Sequence, residues 1–310
     1  MACYFSKVCY NESNEKAWSK NYLKKERMMD PVKNFTFEVP VVTPGKSEYT
    51  ATLTAYVPTN GLALPLNKNR PAVVIFPGGG YAMTYDGEAE PIALKFTAAG
   101  IAAFVLRYSC KPAVFPQALC EGLWCVKYVR DHAKDFGINP KNIATLGFSA
   151  GGHLCASTGT LWNQPFLQEY LPGNAADYRP DKLILCYPVI MSHGACHAGS
   201  FHNLLGEKKD HAQLLELNSL DLQVGPQNPP AFLWHTFEDN GVSVENSMAF
   251  ASHMVKCGIP IEMHIYPHGG HGLCAGDYTT CGECSFDSPM TVHEWLTEAI
   301  RFSFDEAWCS

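Results

Sequence analysis

Short, wholly apolar runs recur along the chain at intervals wide enough for a helix: AVVIF (72–76), IAAFVL (101–106), IATLG (143–147), LILCY (183–187), AFLWH (231–235) and IEMHIY (261–266). Runs of this length without polar alternation read as strands buried on both faces, as in a parallel sheet. Two earlier segments, FTFEVPVV (35–42) and YTATLTAYV (49–57), alternate instead and are rich in β-branched and aromatic residues, which predicts half-buried strands at an antiparallel edge. Helical segments lie between the runs. EPIALKFTAAG (90–100) ends in glycine, PQALCEGLWCVKYVRDHAKDFG (116–137) opens with proline and ends in glycine, VENSMAFASHMVKCG (244–258) ends in glycine, and a last helix is expected near 290–303. Strand and helix alternating in this way predict an α/β fold with an approximately eight-stranded, mostly parallel sheet and helices on both faces.

One interval breaks the rhythm. Residues 188–230 separate two consecutive strands by far more than a plain connection needs, so they are expected to form a lid-like insertion over the carboxyl ends of the strands, where open α/β sheets place ligands. Residues 1–33 are polar and lysine-rich and are expected to be an N-terminal arm, with 34–310 a single domain.

Composition narrows the function classes. A hydrophobic fraction of 46% against 17% charged residues excludes a disordered chain. The formal net charge of −7, with no long basic run, argues against nucleic acid as the main partner and favours a small neutral or sugar-like molecule. The 13 cysteines are scattered singly, as free thiols in a reducing cytoplasm would be. The longest apolar stretch, AAGIAAFVL, is too short to span a bilayer. A cytoplasmic protein with no membrane partner is the expectation, and the oligomeric state stays open.

The chemistry centres on GFSAGGHL (147–154), which follows one of the buried runs and leads into a helix. Gly147, Phe148, Ser149, Ala150 and Gly151 form G-x-S-x-G, the frame of a nucleophile elbow, in which a tight turn lifts the serine clear of the sheet and glycines permit close backbone approach. FPGGGY (76–81) follows the first central strand. Acyl transfer needs two backbone N–H donors aimed at the oxyanion, and Ala150 with Gly79 or Gly80 would supply them. The segment HTFEDNGVSVENS (235–247) offers Asp239 to orient an imidazole, with Glu238 as its neighbour and competitor. YPHGGHGL (266–273) offers His271 in a glycine-flanked loop as the base, with His268 as the alternative. Tyr81, beside the oxyanion glycines, and Tyr187 and Met191, at the start of the insertion, are expected to line the substrate pocket, whereas His193, His197 and His202 in the insertion read equally as pocket residues or as ordinary loop residues.

These segments, with VLRYS (105–109), FPQAL (115–119) and NLLGE (203–207), resemble the α/β-hydrolase superfamily over roughly residues 70–275. Within it they are most similar to microbial esterases of the acetyl-xylan and feruloyl esterase-like kind, near the hormone-sensitive-lipase branch. The resemblance implies Ser149 as nucleophile, Asp239 as acid, His271 as base, Gly79, Gly80 and Ala150 as oxyanion donors, and a serine carboxylesterase acting on small acyl esters of carbohydrate without a cofactor. Two positions depart from common patterns. Pro77 stands where many lipase-like relatives carry histidine before the glycines, as in the sugar-esterase-like group, and Asn240 stands where proline often follows the acid. CGEC (281–284) has no second cysteine pair at metal spacing, so no metal is expected. The rival readings are a serine peptidase of the same fold and a non-catalytic ligand-binding module.

Overall fold

A computed structural model describes residues 32–40, 50–59, 69–280 and 291–308. The expected N-terminal arm lies outside the described residues except at its end, where the first strand begins at residue 32. The sheet is built from β1 (Val32–Glu38), β2 (Thr52–Pro58), β3 (Arg70–Phe76), β4 (Ala102–Arg107), β5 (Ile138–Phe148), β6 (Lys182–Cys186), β7 (Ala231–Thr236) and β8 (Ile261–Tyr266). Their order is β1-β2-β4-β3-β5-β6-β7-β8. The pair β1–β2 and the pair β2–β4 are antiparallel, and every other neighbour is parallel.

Alternate residues of the central strands feed two separate cores. Ala72, Val74 and Phe76 of β3 enter one layer, whereas Val73 and Ile75 enter the other, which is why the run had to be apolar throughout. On the first face pack α2 (Gln117–Asp131), the fully buried α3 (Ala150–Thr160) and α6 (Glu245–Lys256). On the second pack α1 (Glu90–Ala98) and α7 (Glu294–Phe304). The insertion contributes α4 (Ala198–Leu205) and the short α5 (Ala212–Leu217). Among the described residues no helix is long and apolar enough to cross a membrane.

β1 runs Val32–Glu38 and stops before Pro40 instead of extending over 35–42, and two further strands differ from expectation. β5 starts five residues before its apolar run, because Ile138 pairs with Arg70 beyond an irregularity in the β3 ladder. β8 is the edge of the sheet, and its residues are half-exposed rather than buried on both faces. The chain passes from β3 outward to β4 and then back across to β5, so the direction of winding reverses between β3 and β5. Their carboxyl ends lie side by side, with Phe76 in register with Gly147. A crevice at such a reversal is where an α/β sheet holds its ligand.

Candidate active site

Ser149 sits in the turn between β5 and α3 with φ 53° and ψ −117°, a conformation that a residue with a Cβ adopts only at a cost of about 1–3 kcal/mol. Three bonds hold it there. Its N–H donates to Cys186 O (3.0 Å), and its own carbonyl accepts from His153 N (3.1 Å) and Val189 N (3.0 Å). The flanking glycines are required by contact: a Cβ on Gly151 would collide with the carbonyl oxygens of Phe76 and Pro77, and one on Gly147 with that of Gly151.

From the end of β8, the loop 267–273 brings His271 over the turn. Its Nε2 lies 2.8 Å from Ser149 Oγ and its Nδ1 2.7 Å from Asp239 Oδ2. A carboxylate only accepts, so Nδ1 carries the proton and Nε2 is free to take one from the serine. Asp239 follows β7 and its side chain is fully buried. Oδ1 accepts from Gly241 N (2.9 Å) and Val242 N (2.8 Å), and Oδ2 also faces His235 Nε2 at 3.1 Å. Burial alone would raise its pKa, but the hydrogen bonds from His235 and His271 and the charge of His271 outweigh burial and hold the carboxyl well below its ordinary range. It therefore stays an anion. The competing pair, Glu238 and His268, bond to each other at the surface (3.0 Å), with side chains 53% and 76% exposed.

The glycine loop expected to supply the oxyanion donors follows β3. Gly79 (φ 128°) and Gly80 (φ 64°) take left-handed conformations, and a Cβ on Gly79 would collide with the Met83 carbonyl. Among the described residues, the N–H groups of Gly79, Gly80 and Ala150 donate to no protein acceptor, whereas the Gly78 N–H is taken by Glu88 Oε2 at 2.7 Å. Asn203 from α4 donates to Gly80 O (2.8 Å), which docks the insertion onto this loop. His153 Nε2 bonds Asn218 O (2.8 Å), so its Nδ1 must accept, and the Tyr81 hydroxyl donates to it at 2.9 Å. Burial lowers the pKa of His153 to about 4, which keeps the ring neutral in that arrangement.

Tyr81, Tyr187 and Met191, expected along the pocket, are all buried. Tyr81 and Met191 pack into the first core, and the Met191 N–H donates to Asn246 Oδ1 (2.9 Å). Tyr187 (φ 37°) sets its ring edge against His271 at 5.1 Å, and its hydroxyl donates to Glu88 Oε1 at 2.6 Å. In the insertion, His193 faces Asp221 (3.2 Å), His197 bonds Ser200 Oγ (2.8 Å), and His202 is exposed. Cys281 and Cys284 lie outside the described residues, and the cysteines within them form no disulfide with one another.

Four residues of the site escaped the sequence reading. His235 adds a second imidazole to Asp239, Glu88 anchors the glycine loop after β3, Asn203 ties it to the insertion, and Gly241 makes room for His271. A Cβ at Gly241 would come within 2.9 Å of both Cβ and Cγ of His271. Only Gly241 left a trace in sequence, as the glycine of a D-N-G turn.

This geometry can be set beside known proteins. The family described as BD-FAE matches residues 61–254. Endo-1,4-beta-xylanase B of Butyrivibrio fibrisolvens is 35% identical over 213 residues, covering 66% of this chain and 32% of that protein. The acetylxylan esterase of Xylanibacter ruminicola is 32% identical over 222 residues, covering 69% of this chain and 43% of that protein. The chain thus spans less than half the length of these curated relatives. Among solved structures, an acetyl ester-xyloside bifunctional hydrolase from Caldicellulosiruptor lactoaceticus superimposes with a TM-score of 0.74 at 34% identity, covering 88% of this chain and 93% of that one. The sheet order and its helices are those of the α/β-hydrolase fold that such structures share. More than half of the chain falls within the matched family, and that span carries the serine turn, the glycine loop and Asp239. The chain belongs to the BD-FAE family.

Proposed function

We propose that the protein is a serine carboxylesterase that removes small acyl groups, acetyl or feruloyl in type, from carbohydrate. The observation that carries this reading is the unbroken relay from Ser149 Oγ through His271 to Asp239, at 2.8 Å and 2.7 Å, beside amides with no acceptor among the described residues. Ser149 Oγ attacks the ester carbonyl carbon while His271 Nε2 takes its proton. The carbonyl oxygen becomes an oxyanion held by the N–H groups of Ala150 and of Gly79 or Gly80. Asp239 stabilises the imidazolium without taking its proton. The tetrahedral adduct collapses, the sugar hydroxyl leaves with the proton from His271, and an acyl-Ser149 remains. Water, deprotonated by His271, then attacks that ester and releases the acid. The steps need no cofactor.

The substrate class is supported by the names of the relatives, an acetylxylan esterase and an acetyl ester-xyloside hydrolase. Met83 and Tyr85, both exposed, follow the oxyanion loop and offer an apolar surface suited to the face of a sugar ring. The test is a panel of acetylated xylo-oligosaccharides, feruloyl esters, short p-nitrophenyl esters and aminoacyl amides, with Ser149→Ala as control. Acetyl release from the oligosaccharides that disappears in S149A supports the reading. Turnover confined to the amides would replace it with a peptidase, and no labelling of Ser149 by a fluorophosphonate would leave a binding module.

A further inference from the structure

Glu88 is 3% exposed, and its hydrogen bonds come from neutral donors rather than a cation. Burying a carboxylate in that way costs several kcal/mol, so its partners identify what the fold gains from it. Oε2 accepts from the Gly78 N–H at 2.7 Å, the first amide of the oxyanion loop. Gly78 in turn presses against the nucleophile turn, since a Cβ there would stand 2.8 Å from Phe148 O and 3.1 Å from Ser149 Cβ. Oε1 accepts from the Tyr187 hydroxyl at 2.6 Å, and that hydroxyl accepts from the Cys274 N–H at 3.0 Å, just past His271. The same Tyr187 ring backs the His271 imidazole at 5.1 Å.

The strained backbone of the molecule converges on this carboxylate. Among the described residues the non-glycine positions with positive φ are Tyr81, Ser149, Tyr187 and Cys274. Tyr187 bonds Glu88 directly and Cys274 bonds it through Tyr187, while Tyr81 and Ser149 lie in the two segments that meet at Gly78. Such conformations persist only where surrounding contacts over-determine them, and they gather where a reaction needs fixed geometry.

We propose that Glu88 is a positioning residue for the reaction, a buried strut that locks the oxyanion loop through Gly78 and the histidine loop through Tyr187, so that donor amides and base share one register. The inference rests on the esterase reading. Gly78 is thereby withdrawn from oxyanion binding, which leaves the task to Gly79 or Gly80 together with Ala150. Burial pushes the Glu88 carboxyl above its ordinary range, while Tyr187, Gly78 and the charge of His271 oppose that rise. Protonation of His271 during turnover therefore favours the ionised strut, the form best able to accept both bonds.

The test compares Glu88→Met, which keeps the volume and removes both acceptors, with Glu88→Gln, which keeps an acceptor for Gly78, and with Tyr187→Phe, which removes only the hydroxyl. Turnover of p-nitrophenyl acetate is measured per active site titrated with a fluorophosphonate, alongside inhibition by phenylboronic acid, whose tetrahedral adduct occupies the oxyanion site. Displacing aligned donors costs less than deleting one, so kcat per titrated site is expected to fall roughly 10- to 100-fold in E88M, with KM within about threefold. Boronate affinity is expected to weaken in step with kcat/KM, and E88Q to recover most of the loss. Y187F is expected to lower kcat by roughly 3- to 10-fold, and it decides the matter alone if E88M does not fold. A merely structural role would reduce the titratable fraction and leave kcat per site and boronate affinity unchanged; that result in E88M, or in Y187F, overturns the proposal. Wild-type protein that neither hydrolyses the ester nor labels at Ser149 would instead refute the esterase reading on which it rests.

Discussion

Replacing Asp239 by asparagine is a one-atom change whose consequence the hydrogen bonds determine. Oδ1 accepts from two backbone amides, Gly241 and Val242, at 2.9 and 2.8 Å, so the carboxamide oxygen must occupy that position. The amide nitrogen then takes the place of Oδ2, 2.7 Å from His271 Nδ1 and 3.1 Å from His235 Nε2. His235 can keep its proton on Val242 O, 2.9 Å away, but among the described residues His271 has no other acceptor for Nδ1 and must present a lone pair there. Its proton moves to Nε2, which donates to Ser149 Oγ instead of accepting from it, and the base is lost. An inverted tautomer of this kind lowers kcat by about 10⁴-fold in a serine triad, which corresponds to about 5.4 kcal/mol of transition-state stabilisation. The assay is kcat for p-nitrophenyl acetate per folded protein, with the rate of fluorophosphonate labelling followed in parallel. Both are expected to collapse together, with KM within about threefold because substrate binding is untouched. Folded D239N with kcat within tenfold of wild type would refute the argument, since the imidazole would then be oriented by something other than this carboxylate.

Other consequences can be checked separately. Gly241→Ala places a Cβ within 2.9 Å of His271 and should displace the ring, with kcat down roughly 10²-fold and little change in melting temperature; unchanged turnover would show that the loop gives way freely. Glu238→Ala removes the surface partner of His268 and should leave kcat within about twofold, whereas a large loss would mean that the outer pair takes part. His153 has its pKa lowered to about 4 by burial, so below about 6.5 the unfolded chain takes up the proton first. Its contribution is fully present above that pH and is lost as pH falls from about 6.5 towards 4, by up to about 3 kcal/mol. Urea midpoints measured at pH 7 and pH 4.5 should therefore separate more in wild type than in His153→Gln; equal separations would refute the assignment.

The central strands were legible because burial on both faces forces an apolar run, and the serine turn because close approach forces glycine at positions 147 and 151. β8 misled for the opposite reason. Ile261, Met263 and Ile265 carry the composition of a central strand, yet nothing pairs with the outer side of β8 among the described residues, and edge position is a property of topology rather than of any local run. The beginning of β5 was invisible because INPKN holds proline and polar residues, and its pairing depends on Arg70 far upstream.

The supports of the site were hidden by distance in the chain. Glu88 meets a hydroxyl 99 residues away and an amide 10 residues back. In sequence it is the middle acid of DGEAEP, flanked by Asp86 and Glu90, and nothing local distinguishes the three. The 3₁₀ turn Asp86–Glu88 and the start of α1 at Glu90 separate them. Asp86 (side chain 91% exposed) and Glu90 (39%) turn outward to Arg107, and Glu88 is carried beneath the glycine loop. A sequence displays the groups that react, because nucleophile, acid and base each need a distinctive local backbone. The group that holds them in register needs only to be an acid in a turn, and the fold alone decides which acid that is.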